Sequence, residues 1–264
     1  MNAQAKNNDW LPHLQLDRGD ELRLLGGQWL YDTHISAAQR LLRDQFPTID
    51  GLNSPLVGMS PGGFTAATNG AVQIHNNEQH HWLTSTAGVI ESCAHVYVYD
   101  SLSSGSLGRA LRRQLVDMYR LLADKDGKID VAIKAVQQQL RGEGNCGPFA
   151  VAFATALCHG IDPSTVSFSE RSLRKHLHFC FQSGTLTCFP QVSRTTRSTE
   201  VKTAINIHCL CYLHLPGKQM VQCDDCENWY HLDCVSSSSN GVASAAKISQ
   251  QPTWHCRECT KRQN

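Results

Sequence analysis

No run of 18 or more apolar residues occurs in the 264-residue chain, which excludes a membrane-spanning helix of ordinary length. The first ten residues, MNAQAKNNDW, contain no apolar stretch of the kind that a secretory signal needs, so export to an oxidising compartment is not expected. Charge of one sign is scarce too. With 24 Lys+Arg against 23 Asp+Glu, the chain is neither a solvated acidic polymer nor a broadly basic coat for nucleic acid. The length and the 41% hydrophobic content do suffice for a buried core, in one large domain or two smaller ones. Cysteine is plentiful, at 12 residues, and in a reducing compartment it needs an explanation other than disulfides.

The cysteines divide the chain. Seven of the 12 fall between Cys209 and Cys259, whereas Cys93, Cys146, Cys158, Cys180 and Cys188 are scattered singly. Up to Pro190 there are 16 basic and 17 acidic residues, and from Gln191 onward 8 and 6, so the halves carry −1 and +2. Between them Gln191 to Thr203, QVSRTTRSTEVKT, is polar and aperiodic, and residues 191–205 are expected to be a linker between a domain at 10–190 and a smaller one at 206–262.

The first half interleaves helix and strand patterns. Ile35, Ala38, Leu41 and Leu42 recur at helical spacing within His34 to Phe46, and Pro47 follows where the helix should stop. Ala71 to His75, Trp82 to Thr86 and the alternating Val96-Tyr97-Val98-Tyr99 read as strands of a central sheet. A second amphipathic helix is predicted over Leu107 to Leu122, and Ile129, Val131 and Ile133 alternate as in a strand. Cys146 to His159 is apolar almost all round, the mark of a helix buried in the domain, and Gly160 ends it. Ser169 to Phe181 supplies a last amphipathic helix, and the whole is an α+β arrangement.

In that reading His81 heads one strand, Asp100 ends the next and Cys146 opens the buried helix. A thiol at a helix N-terminus faces unpaired N–H groups and the positive end of the dipole, which favour the nucleophilic thiolate. A histidine can take up its proton and return it to a leaving amine, and a carboxylate on the other ring nitrogen fixes the tautomer. Gln137, Gln138 and Gln139 precede a glycine-rich approach to Cys146, so an amide there could donate to an oxyanion beside the Cys146 N–H, with Gln139 preferred and then Gln138.

Trp29-Leu30-Tyr31-Asp32 with Ile35, His81-Trp82, Tyr97-Val98-Tyr99-Asp100-Ser101, Gln137 to Gln139 and Asn145-Cys146-Gly147-Pro148-Phe149 occur in this order. In these motifs residues 10 to 190 resemble the ubiquitin-like-protein proteases, the SUMO-protease and adenovirus-protease type of cysteine peptidase. The resemblance implies a papain-like α+β fold, a triad of His81, Asp100 and Cys146, and Trp29 and Trp82 flanking a narrow tunnel for a Gly-Gly tail. Asn145 departs from the family, which often has Asp there.

From Cys209 the possible metal ligands are Cys209, Cys211, Cys223, Cys226, His231, Cys234, Cys256 and Cys259. Zinc takes four tetrahedral sulfur or nitrogen ligands, so eight predict two structural ions, in a segment too short to fold on an apolar core. The ligand order, with Trp254 two residues before Cys256 and Asn228-Trp229-Tyr230-His231, resembles the PHD finger. That implies interleaved sites, Cys209, Cys211, His231 and Cys234 at one zinc and Cys223, Cys226, Cys256 and Cys259 at the other. A RING-type module shares the ligand order, but the position of Trp254 favours the PHD finger. Seven thiolates and two zinc ions bring the formal charge of the second half to about −1, which disfavours nucleic acid and favours a basic peptide. The resemblance further implies that Trp229 and Met220 wall a cage for a methylated histone-type tail.

The expectation is therefore a thiol peptidase, in the nucleus or alternatively the cytoplasm, that cleaves after the Gly-Gly tail of a SUMO-like modifier. Its partners would be the modifier and a histone tail, with neither membrane nor nucleic acid, and no cofactor would serve catalysis. The alternatives are a modifier- and chromatin-binding protein without catalysis, or a processing peptidase of mobile-element or viral type.

Overall fold

The structure is a computed structural model, and it describes residues 8–59, 63–68, 70–77, 80–90, 95–103, 105–125, 127–140, 142, 144–194, 199–207, 209, 218–237, 248 and 252–263. Cys93 and Cys211 lie outside the described residues. Among those described, no helix is long and apolar enough to cross a membrane.

A short hairpin, β1 (Asp9–Leu11) and β2 (Leu16–Asp17), leads into α1 (Arg18–Leu25). Asp17 starts that helix because its side chain accepts from the Asp20 N–H while the Asp20 carboxylate accepts from the Asp17 N–H, so two helix-end donors are satisfied reciprocally. Helix α2 (Asp32–Gln45) follows, with Ile35, Ala38, Leu41 and Leu42 on its buried face, and stops before Pro47. The strands β3 (Asp50–Gly51), β4 (Ala71–Asn76), β5 (Trp82–Ala87) and β6 (Val96–Tyr99) come next, then α3 (Arg109–Tyr119), β7 (Lys128–Lys134) and α4 (Cys146–Cys158). Beyond α4 lie β8 (Val166–Phe168), α5 (Glu170–Ser183), β9 (Gln191–Ser193) and β10 (Glu200–Asn206). The C-terminal part consists of β11 (Met220–Gln222), β12 (Trp229–His231), α6 (Leu232–Ser237) and α7 (Arg257–Gln263).

Six strands form one sheet in the order β10-β7-β6-β5-β4-β3. Period-2 alternation gives it two apolar faces. Val72, Ile74, Trp82, Tyr97, Tyr99 and Ala132 join the cluster that contains α4, while Ala71, Leu83, Val96, Val98, Ile129, Val131 and Ile133 join the one that contains α3. Helix α4, buried at every position, packs on β4 and β5 beside α2 and α5, as its all-round apolar pattern predicts.

The expected linker is corrected. Residues 191–193 form β9 on β8, and 200–206 form β10, paired antiparallel with β7 through seven residues from Glu200↔Lys134 to Asn206↔Lys128. Polarity misled the reading because β10 is an edge strand whose side chains are mostly exposed, so it belongs to the sheet through backbone hydrogen bonds and carries little apolar alternation.

Candidate active site and zinc finger

Strand β5 begins at Trp82, directly after His81, and β6 ends at Tyr99, directly before Asp100, so these adjacent antiparallel strands bring both side chains to the same end of the sheet. His80 takes a left-handed backbone (φ 59°) at the entry to β5, and Asn77 Oδ1 accepts the His81 N–H at 3.2 Å. The His81 Nε2 and Asp100 Oδ1 atoms are 2.6 Å apart, and the same carboxylate oxygen accepts the Leu102 N–H at 2.8 Å. The other ring nitrogen, Nδ1, is buried, and the Cys146 thiol interacts with the imidazole. Burial opposes the charged ring, but the hydrogen bond to Asp100 and the sulfur of Cys146 outweigh it, and the imidazole is pushed up to about 9. At neutral pH the ring therefore holds its proton.

Cys146 is the first residue of α4 and is 5% exposed. The segment in front of it is held from α5. Arg174 donates to Asn145 Oδ1 at 3.0 Å, to the Gly144 carbonyl at 2.6 Å and to the Leu24 carbonyl at 3.1 Å, and Asn145 Nδ2 donates to Glu170 Oε1 at 3.1 Å. Asn145 thus accepts from a cation and donates to an anion, which an ionised Asp could not do.

The three glutamines separate by partner. Gln137 exchanges hydrogen bonds with the backbone of Phe168, and Gln138 bridges the Asp100 carbonyl and the Ser103 N–H. Gln139 is 7% exposed, receives the Ser101 hydroxyl on Oε1 at 3.2 Å and donates its own N–H to the Ser101 carbonyl. Ser101 thereby orients the Gln139 amide with its NH2 on the opposite side.

Trp29 and Trp82 line one cleft of about 250 Å³, together with Tyr31, Leu56, Met59 and His80. Trp82 is buried with its indole N–H on the Leu30 carbonyl at 3.0 Å, and Trp29 is 54% exposed. The cleft adjoins the segment before Cys146 because Gly144 lies against Trp29. A Cβ there would come within 2.3 Å of Trp29 Cδ1, and one on Gly147 within 3.1 Å of the Leu30 side chain. The sequence motifs single out His81, Asp100, Cys146, Gln139, Trp29 and Trp82, but not Asn77, Glu170 or Arg174. Ser101 stands in the motif that ends β6, but its contact with Gln139 carries no signal there. Arg174 lies 29 positions from Asn145 and carries no local signal.

In the C-terminal part Cys223, Cys226, Cys256 and Cys259 bring their sulfurs within 4.8 Å of one another, as do the donor atoms of Cys209, His231 and Cys234. The Cys226 and Cys256 sulfurs are 3.8 Å apart, close to the roughly 3.8 Å edge of a sulfur tetrahedron with 2.3 Å zinc bonds. His231 Nδ1 stands 3.8 Å from Cys234 Sγ, and backbone N–H groups of Cys256 and His231 point to the sulfurs of Cys223 and Cys209. The donor sets fit zinc, with Cys211 outside the described residues.

The expectation for Met220 and Trp229 is corrected. Trp229 is 4% exposed and belongs to the buried cluster of α3 and the sheet, and Met220 packs against the same cluster. An indole covered by its own chain offers no open wall to a methylated cation.

Residues 209–259 match the PHD-finger family model. The preceding part is similar in structure to the C-terminal Ulp1 protease domain in complex with Smt3, the yeast ortholog of SUMO, at 16% identity and a TM-score of 0.52 over 69% of this chain and 90% of that one. It is also similar to the SUMO protease Ulp1 with its catalytic cysteine oxidised to a sulfinic acid, at 17% identity and a TM-score of 0.54 over 68% and 90% of the chains. The same protease with that cysteine as a sulfonic acid matches at 15% identity and a TM-score of 0.53, over 67% and 88%. No curated protein sequence matches the chain. The chain therefore joins a domain with the fold of the Ulp1 SUMO-protease domain to a C-terminal PHD finger.

Proposed function

We propose that the protein is a thiol peptidase that cleaves after the Gly-Gly tail of a ubiquitin-like modifier, SUMO-like in kind, and acts in the nucleus. The observation that carries this reading is an imidazole bonded to Asp100 on one side and interacting with Cys146 on the other, at the start of a buried helix and beside a cleft with two indoles. Cys146 attacks the carbonyl carbon of the terminal glycine, the proton held on His81 passes to the leaving amine, and water then hydrolyses the thioester. Asp100 orients the ring, and the Gln139 NH2 with the Cys146 N–H stabilises the oxyanion. Trp29 and Trp82 restrict the cleft to residues without side chains.

The PHD finger holds two structural zinc ions in this reading, with Cys211 as the fourth ligand of the first, and the metal supplies the free energy that folds it. A basic peptide, histone-type tails among them, is the ligand class that suits Asp224, Asp225 and Glu227. The test of the peptidase is a panel of ubiquitin-like proteins carrying C-terminal electrophiles. Covalent capture of one of them by wild type and not by Cys146→Ser is expected, and failure of the whole panel to label Cys146 would reject the assignment.

A further inference from the structure

The finger is not loosely tethered. Strand β10 is hydrogen-bonded along its length to β7, the next residue, Ile207, is 4% exposed and donates to the Gly127 carbonyl, and Cys209 follows two positions later. The first zinc ligand is thus reached directly from the sheet edge. Gly127 is suited to that corner, because its φ of +72° lies in the left-handed region that favours glycine, and a Cβ there would press on the Ile207 carbonyl oxygen.

The face turned to the first domain carries Asp224 and Glu227, two of the carboxylates that suit a basic peptide. Trp229 and Met220 pack into the cluster of α3 and the sheet, as described above. At the rim Arg109 donates to Gln222 Oε1 at 2.7 Å and pairs with Asp224 Oδ1 at 2.7 Å, while Arg112 lies 3.4 Å from Glu227 Oε2. Gln222, 6% exposed, is itself held by donating to the Glu227 carbonyl. The first turn of α3 contains no acidic residue, although the positive end of a helix dipole favours anions, and Arg109 and Arg112 stand there instead. Carboxylates from the finger offset that placement for Arg109 and Arg112.

We infer that the acidic rim of the finger is an arginine-binding site whose resident ligand is helix α3 of the same chain. The docked finger braces the sheet, and an arginine- or lysine-rich peptide binds the rim only in competition with α3. The inference deepens the basic-peptide reading of the finger and is independent of the peptidase reading.

The test uses the full zinc-loaded chain and the double variant Arg109→Glu/Arg112→Glu. Acids on the first turn favour the helix, so α3 is expected to fold. Amide hydrogen exchange over residues 109–119 and 220–231 should rise at least tenfold in the variant. Its affinity for an unmodified basic tail peptide should exceed that of wild type at least tenfold. The pair Arg112→Glu/Glu227→Arg, which restores one ion pair in reverse, should exchange more slowly than Arg112→Glu alone. Unchanged exchange in the double variant would overturn the docking itself. Increased exchange with equal peptide affinities, including no binding by either protein, would overturn the competition and place the failure in the basic-peptide reading.

Discussion

His81 has both neighbours that a peptidase imidazole requires, and its protonation is the property most open to measurement. Its folded-state value of about 9 lies above the ordinary 6.5. The charged ring therefore stabilises the fold in full below pH 6.5, and this contribution is lost as the pH rises through about 9. The difference in thermal midpoint between wild type and Asp100→Asn should shrink between pH 6.5 and 10, and a constant difference would mean that Asp100 does not hold the proton on the ring. His81→Ala should lower kcat/KM on a Gly-Gly-tailed fluorogenic substrate by about 10²–10⁴-fold. Arg174 donates to the segment before Cys146 and to the Leu24 carbonyl, so in the peptidase reading it is a positioning residue for Cys146. Arg174→Ala should reduce kcat by up to about 10²-fold with KM little changed, and free guanidinium should restore part of the rate. A rise in KM alone would assign Arg174 to substrate binding instead. At this scale the clustering of His81, Asp100 and Cys146 was legible because they sit at element ends, where motif and periodicity coincide. Arg174 was not, because its contact is made across the fold.

The elements with strong periodicity were readable in outline. Helix α4 starts and stops within a residue of the pattern, and β6 coincides with Val96 to Tyr99. Helix α3 is shorter than the apolar repeat and passes into a 3-10 turn at Arg120–Leu122. Strand β10 was not readable, since an edge strand is specified by the unpaired backbone groups of its neighbour rather than by its own side chains. The corner at Gly127 gives a test of how firmly β10 is seated. Gly127→Ala combines a left-handed backbone with a close approach to the Ile207 oxygen and should destabilise the chain by about 1–3 kcal/mol in urea unfolding. A loss of less than a few tenths would show that the β7–β10 corner bears little of the stability.

For the whole molecule, burial of Trp229 couples the finger to the sheet. A chelator should unfold the finger and expose this indole, giving a red shift of tryptophan emission that is smaller in Trp229→Phe, where only Trp254 of the finger remains. It should also lower the thermal midpoint of the remaining domain by roughly 3–12 °C, from about 1.5–3 kcal/mol for one buried aromatic at 2–4 °C per kcal/mol. A midpoint unaffected by chelation would mean that the two domains fold without support from each other.

The amino-acid sequence alone determined what depends on spacing along the chain. Ligand pairs such as Cys223 with Cys226 converge because two intervening residues allow it, and amphipathic helices follow from apolar residues three and four apart. Tertiary structure alone decided where exposed-looking polar and aromatic residues end up. Gln137, Gln138 and Gln139 are told apart by their partners, Phe168, Asp100 with Ser103, and Ser101, and Arg109 and Arg112 of α3 found carboxylates more than a hundred positions away. Trp229 became part of the interior, with Met220 packed against it, because β10 delivers the finger onto the α3 side of the sheet. The physical reason is the same in each case: burial and ion pairing are set by which surfaces meet, and that is decided by long-range backbone pairing rather than by any local repeat.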